Sequence, residues 1–439
     1  MKPNLKKKSI IAILSLIALF GTGLSCGGGG QPGQTQSVTL KFWKPFDSSD
    51  KWQEIISAFA TTHQGVIIEY TQKSSETYPQ DLVDAMAAGQ GPDIFSIRND
   101  WLGRFRDKIS PLSGDQFPVR TYRETFADVV SQDFVEGNQI FAIPASVDVL
   151  GLYYNRGLLS SAGIARPPST WPELTSMIPK ITKFNSSGQI TRAGIAMGLA
   201  NNINRSSDIL TLLMLQSGTK FYDDSQASVT LSRGTADENQ ETPAARSLRF
   251  YTQFADPSSK AYAWNSKQID SIDSFVQNQT VMIFGYSYLM PQLKAKDAFL
   301  DYGVAGVPQL TLSGTKVNIA SYWAETVWGG SKNQRLAWEF IQFANSFEQN
   351  KKYNELTGQL SSRKDVLSNQ QRDPELGVFA ENALSAKSVS KPEVGQFEKI
   401  LNEAIEDVAF GSVQPQEAIE KAERKLQLLL ERYPLKKAL

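Results

Sequence analysis

One cysteine, one histidine and no excess charge of either sign in 439 residues set the first limits. With Cys26 as the only thiol, a disulfide framework within the chain is impossible, and a Cys/His zinc cluster has no ligand set. An acyl-transfer triad would have to rest on His63 alone, which sits in ATTHQGV between a helical pattern and a strand pattern and reads as a surface position. Lys+Arg and Asp+Glu both number 45, and no basic block occurs beyond the N-terminus, so nothing points to nucleic acid. P-loop, GxSxG and HExxH motifs are absent, as is any internal repeat. What is present is ordinary for a globular protein: 41% hydrophobic and 21% charged residues, in a chain long enough for two domains, or three at most, at roughly 100–200 residues each.

Lys2, Lys6, Lys7 and Lys8 precede an apolar run from Ile10 to Phe20, broken only by Ser15, and small residues follow up to Cys26. A basic segment, an apolar segment of about 7–15 residues and small residues before a cut are the parts of an export signal, whereas a spanning helix needs about 20 apolar residues. Residues 1–25 therefore read as a signal peptide. The context of Cys26 resembles the lipobox of bacterial lipoproteins, in which the cysteine becomes the lipidated first residue. Gly23 departs from that pattern, since it stands where Leu is expected, while Leu24 lies one residue later. Residues 26–37, rich in Gly and Gln, read as a flexible tether. Loss of the four signal lysines leaves 41 basic against 45 acidic residues, a mildly acidic body anchored to the outer face of the cytoplasmic membrane.

Beyond the tether, strand and helix patterns alternate, which predicts parallel α/β layers. VTLKFW (Val38 to Trp43) alternates like a strand, Trp52, Ile55, Ile56 and Phe59 recur at helical spacing, and Val66 to Tyr70, Leu82 to Ala88 and Ile94 to Ile97 continue the alternation. Phe141 to Asn155 reads as extended chain. In PPSTWPEL, Thr170 is the expected N-cap and Pro172 falls in the first turn. The middle region predicts strands at Ala193 to Met197 and Val281 to Phe284, with helices at Asp208 to Gln216 and Ala244 to Phe254. Further strands are expected at Tyr302 to Val307 and Val317 to Ile319, a helix over Gln334 to Ser346, and two C-terminal amphipathic helices.

Seven segments, in order, resemble the extracellular solute-binding proteins (family 1) of bacterial ABC importers, in particular the carbohydrate-binding group that includes maltodextrin-binding proteins. They are LKFWKPFD, AMAAGQGPDIFSIRNDWL (85–102), GNQIFAIPASVDVLGLYYNRGLLSSAGI (137–164), PPSTWPEL (167–174), FVQNQTVMIFGYSY (275–288), AWEFIQFANS (337–346) and LSSRKDV (360–366). The resemblance implies a two-lobed α/β clamp of the periplasmic-binding-protein type (type II) whose chain crosses between lobes several times. The first lobe would hold residues 38–147 plus 300–347, the second 148–299 plus 348–439, with Ala142 to Leu152 as the first hinge. Ligands of open α/β sheets sit beyond the carboxyl ends of strands, and hinge closure is a known use of such folds.

A sugar offers C–H faces and a rim of hydroxyls, so its pocket needs flat aromatic rings and paired polar groups. Such combinations occur at four strand-to-loop transitions, which by similarity to the family's pattern face the cleft: Trp43, Phe46 and Asp47; Asn99, Asp100 and Trp101; Tyr286 and Tyr288; Tyr322, Trp323 and Glu325. Tyr286 and Tyr288, two apart, share a side. Trp323 is the leading stacking candidate. Arg363 resembles a family position that often points at the ligand. Asp93 reads rather as a turn anchor, and Trp171 and Trp338 as core. Adjacent strand residues point to opposite faces, which argues against a shared metal site at Tyr153 and Tyr154. No metal or cofactor is implied.

The expected role is that of a monomeric, lipid-anchored receptor, not an enzyme, that captures a carbohydrate and delivers it to the transmembrane subunits of an ABC permease. A secreted glycan-acting hydrolase is the main rival; it would need two carboxylates about 5–10 Å apart, such as Asp47 and Asp100. A non-sugar solute, peptide or polyamine, is the other alternative.

Overall fold

The computed structural model describes residues 37–435, so the expected signal, Cys26 and all but the last tether residue lie outside the described residues. Leu40 and Phe42 alternate inward along the strand Val38–Lys44, and the helix Ser49–Thr62 lays Trp52, Ile55 and Phe59 against them. Val38–Lys44 pairs in parallel with Val66–Gln72 along its whole length, and through Phe42 and Trp43 with Ile94–Arg98. Trp323–Val327 closes the other side of this four-stranded sheet in antiparallel register. The helix Gln334–Ala344 brings Phe340 to within 6.0 Å of the Phe42 ring and 5.2 Å of Phe59. Each large apolar side chain sealed in this way contributes about 1.5–3 kcal/mol relative to exposure.

A second sheet has Gly151–Asn155 at its centre, flanked in antiparallel fashion by Met282–Gly285 and Tyr302–Gly306. Tyr302–Gly306, expected in the first lobe, is thus paired through all five residues into the second sheet. Phe347–Thr357, expected almost entirely in the second, packs against Ser49–Thr62, and its Tyr353 hydroxyl donates to Asp47. The helix Trp171–Ile181 lays Trp171 against Phe284 of this sheet, and the helices Ser206–Gln216 and Pro243–Thr252 pack with the C-terminal pair Val394–Ala409 and Pro415–Arg432. Thr170 caps the first of these by accepting from the Glu173 amide, as its position before Trp-Pro predicts. Ala193 to Met197 is not a regular strand. Only Ala193 bridges, to Thr280; Ala196 adds one backbone bond to the Met282 carbonyl, and at Gly198, φ +112, a Cβ would lie 2.5 Å from the Ala255 nitrogen.

Three extended segments run side by side between the two sheets. Val149 bridges Ala320, Asn318–Ile319 pairs with Ala386–Lys387, and Asn318 Nδ2 donates to the Leu150 carbonyl at 2.8 Å. Upstream, the buried Asn350 and Asn354 both donate to the Ala145 carbonyl. The connection is therefore held by side-chain amides where no neighbouring strand satisfies it. Among the described residues, no helix is long and apolar enough to cross a membrane.

Candidate functional site

The loops that follow the first sheet's strands bring four aromatic rings together. Trp323, at the start of its strand, stands edge-on to Trp101 at 4.9 Å, to Phe46 at 5.4 Å and to Tyr78 at 6.0 Å. Phe46 is 58% exposed and Trp323 half-buried, so the group offers ring surface outward while Tyr78 and Trp101 support it from within. Trp43 stands apart, its half-buried ring covered by the Lys73 ammonium at 4.1 Å.

Beside the second sheet, Tyr286 and Tyr288 lie nearly parallel, 5.7 Å apart and 18° between planes, on the same side as their spacing predicts. Tyr286 is buried and Tyr288 is 40% exposed. The turn presenting them is fixed by Asp148, whose carboxylate accepts from the Ser287 amide and hydroxyl, each at 2.9 Å, and from the Tyr288 amide at 3.2 Å. Burial pushes the Asp148 carboxyl up to about 6 in spite of these donors. Arg205, in the left-handed region at φ +63, donates through Nε to the Tyr288 hydroxyl at 2.8 Å and lies over both tyrosine rings. A side chain in that conformation is strained, and such strain concentrates at functional sites.

Between the two aromatic groups is a buried charge network. Arg98 grips Asp100 through Nε at 2.7 Å and through a second N–H, and reaches Glu398 at 3.4 Å. The Lys391 ammonium lies 2.9 Å from Glu398, 3.4 Å from Asp208 and 3.7 Å from Asp100. Asp208 also accepts from the Tyr286 hydroxyl at 3.2 Å. Burial alone would raise Asp208, but Lys391 and Arg205 more than offset it and hold the carboxyl below its ordinary value. Likewise, burial pulls Lys391 down while Asp208, with help from Glu398 and Asp100, holds it above its ordinary value.

The polar residues expected to meet a ligand are committed to internal partners. Asp47 accepts from Tyr353 at 2.6 Å and lies 3.5 Å from Lys44, whose ammonium is 2.6 Å from Glu325. Asp47, Lys44 and Glu325 are all buried, and Glu325 Oε2 has no hydrogen-bond partner among the described residues. Arg363 is held by Asp365 through two N–H groups and by the Asn345 carbonyl at 2.9 Å. Asp100 is occupied by Arg98 and Lys391. Of the nine expected residues, the structure brings Trp101 and Trp323 together, and Tyr286 and Tyr288 together. Asp47 lies beside Lys44, and Asp100 beside Arg98 and Lys391. Asp93, expected to anchor its own turn, instead accepts from the Lys41 amide of the neighbouring strand and from the Ser331 hydroxyl, both distant in sequence.

Sequence reasoning missed Arg98, Asp148, Arg205, Asp208, Lys391 and Glu398. For Asp208 a signal existed: DILTLLML is apolar on every face but for this carboxylate and Thr211, and a carboxylate in a fully buried helix needs a cation. Among the described residues, no group of three or more His, Cys, Asp or Glu side chains could hold a metal.

The sequence pattern of the bacterial extracellular solute-binding proteins matches residues 54–378. The chain belongs to that family. This solute-binding protein is similar to the maltotriose-binding protein of Pyrococcus abyssi (strain GE5 / Orsay), at 22% identity over 270 residues, 59% of this chain and 52% of that one. It is also similar to the galactooligosaccharide-binding protein of Bacillus subtilis (strain 168), at 18% identity over 423 residues, 95% of this chain and 96% of that one. Its fold resembles the cyclic alpha-maltosyl-1,6-maltose binding protein from Arthrobacter globiformis, with a TM-score of 0.74 and 17% identity over 90% of this chain and 100% of that one. The fold is that of the two-lobed periplasmic binding proteins, and family and fold alike are those of binding proteins.

Proposed function

We propose that this solute-binding protein captures a carbohydrate between its lobes and hands it to the permease of an ABC importer, held at the outer face of the cytoplasmic membrane by a lipid on Cys26. The observation that carries the reading is the pair of aromatic groups: Phe46, Trp101 and Trp323 on one lobe, Tyr286 and Tyr288 on the other, with the charges between them compensated. Flat rings favour the C–H faces of a sugar. A polyamine would need uncompensated carboxylates, whereas Asp100, Asp208 and Glu398 are shared among Arg98, Lys391 and Arg205. The similar proteins that bind maltotriose and galactooligosaccharides support the same ligand class. In this reading the first lobe comprises residues 38–147 and 322–371, the second comprises 151–317 with the C-terminal helices, and the hinge is the bundle of extended segments at 148–150, 318–321 and 386–388.

The test is a thermal-shift screen of the mature protein against mono- and oligosaccharides, polyamines and peptides. A ligand at 100 times its dissociation constant adds about 2.7 kcal/mol of stability. A shift with saccharides and none with polyamines or peptides is the expected outcome; a shift with a polyamine or peptide alone would replace the ligand class.

A further inference from the structure

Lys391 is 7% exposed, yet none of its neighbours in sequence explains a buried cation there. Its ammonium has three donors, and three carboxylates lie within 4 Å of it, one from each of three separate elements: Asp100 after the first sheet's strand Ile94–Arg98, Asp208 in Ser206–Gln216 and Glu398 in Val394–Ala409. Asp100 adjoins Trp101, while Asp208 holds the Tyr286 hydroxyl. The chain carrying Lys391 is itself fixed on both sides: the Ser388 hydroxyl donates to Asp133 of the helix Asp128–Phe134, and the Tyr222 hydroxyl donates to the Ser390 carbonyl at 2.7 Å. Arg98, bound to both Asp100 and Glu398, is a second contact across the same gap.

We propose that Lys391 is a positioning residue for ligand capture, joining Asp100 to Asp208 and so setting the separation of the Trp101–Trp323 rings from the Tyr286–Tyr288 pair. The inference rests on the two-lobed carbohydrate reading above, in which those rings face one ligand. Lys391 touches no ring of either aromatic group; it acts through Asp100 and Asp208. Removing the ammonium leaves three carboxylates facing one another with Arg98 and Arg205 as the remaining cations, and repulsion drives the two halves apart.

The experiment measures the distance distribution between labels on Arg120→Cys, in the first lobe, and Asp224→Cys, in the second, in the mature Cys26→Ser chain without any sugar. Both side chains are exposed, at 88% and 98%. Lys391→Met is expected to broaden the distribution and shift it outward, and Lys391→Arg to keep it narrow. The same Lys391→Met protein is expected to bind the best saccharide of the thermal-shift panel at least tenfold more weakly. A folded Lys391→Met protein with an unchanged distribution would overturn the proposal. Should Lys391→Met fail to fold, Asp100→Asn, which removes the first-lobe carboxylate that Lys391 reaches, is expected to shift the distribution in the same direction, and no shift there would equally overturn it. A wild-type protein that binds no saccharide refutes the carbohydrate reading, while the distance measurement, made without sugar, still decides the role of Lys391.

Discussion

At the scale of single residues, ring and charge have separate duties. Trp323 lies against the rings of Phe46, Tyr78 and Trp101, so Trp323→Ala is expected to weaken saccharide binding by about 0.5–1.5 kcal/mol beyond lost area while folding normally; calorimetry that finds unchanged affinity would remove Trp323 from the site. Lys44, by contrast, separates Asp47 from Glu325 in a buried setting. Lys44→Met leaves two carboxylates there unpaired and is expected to lower stability by about 3–5 kcal/mol in denaturant unfolding. A loss below about 1 kcal/mol would show the three groups to be less buried than their geometry. Asp133 gives a pH signature. Burial raises its carboxyl from 3.8 to about 7, even though Ser388, Tyr322 and Asn99 all donate to it. The folded state then binds more protons than the unfolded state between about pH 4 and 7, so stability falls as pH rises through that window. Asp148, raised to about 6, adds to the same trend. Asp133→Asn is expected to flatten the slope of melting temperature against pH, and an unchanged slope would assign it elsewhere.

At the scale of elements, caps and periodicity were legible because their causes are local. Thr170 before Trp-Pro-Glu caps Trp171–Ile181, and Thr170→Ala should lower stability by about 1 kcal/mol, measured by chemical denaturation. Trp52, Ile55 and Phe59 were readable as one helix face from spacing alone, whereas the alternation in VTLKFW does not say which of Phe42 and Trp43 turns inward. Ala193 to Met197 reads as a strand, yet only Ala193 bridges, because a ladder needs a neighbouring strand in register, which no local pattern encodes. The same reason hid Lys391: a lone lysine in SVSKPEV carries no mark of the three carboxylates that meet it in space.

At the scale of the whole molecule, order along the chain revealed the family and the clamp, but not which strand joins which lobe. Tyr302–Gly306 reads like any short strand, and only its pairing with Gly151–Asn155 places it in the second sheet. The polar residues expected to hold a ligand, Asp47, Glu325 and Arg363, had the right chemistry and loop positions. Their cations and carboxylates, Lys44 and Asp365, lie close in sequence, yet the pairing with Glu325 spans 281 residues and leaves no trace in composition. The central claim is that a carbohydrate sits between the lobes against the aromatic rings. A crystal structure grown with the saccharide that gives the largest thermal shift tests it most directly: the account predicts sugar rings against Trp323 and Phe46 with the Tyr288 side closing over them, and a saccharide bound away from both aromatic groups, or none bound at all, would contradict it.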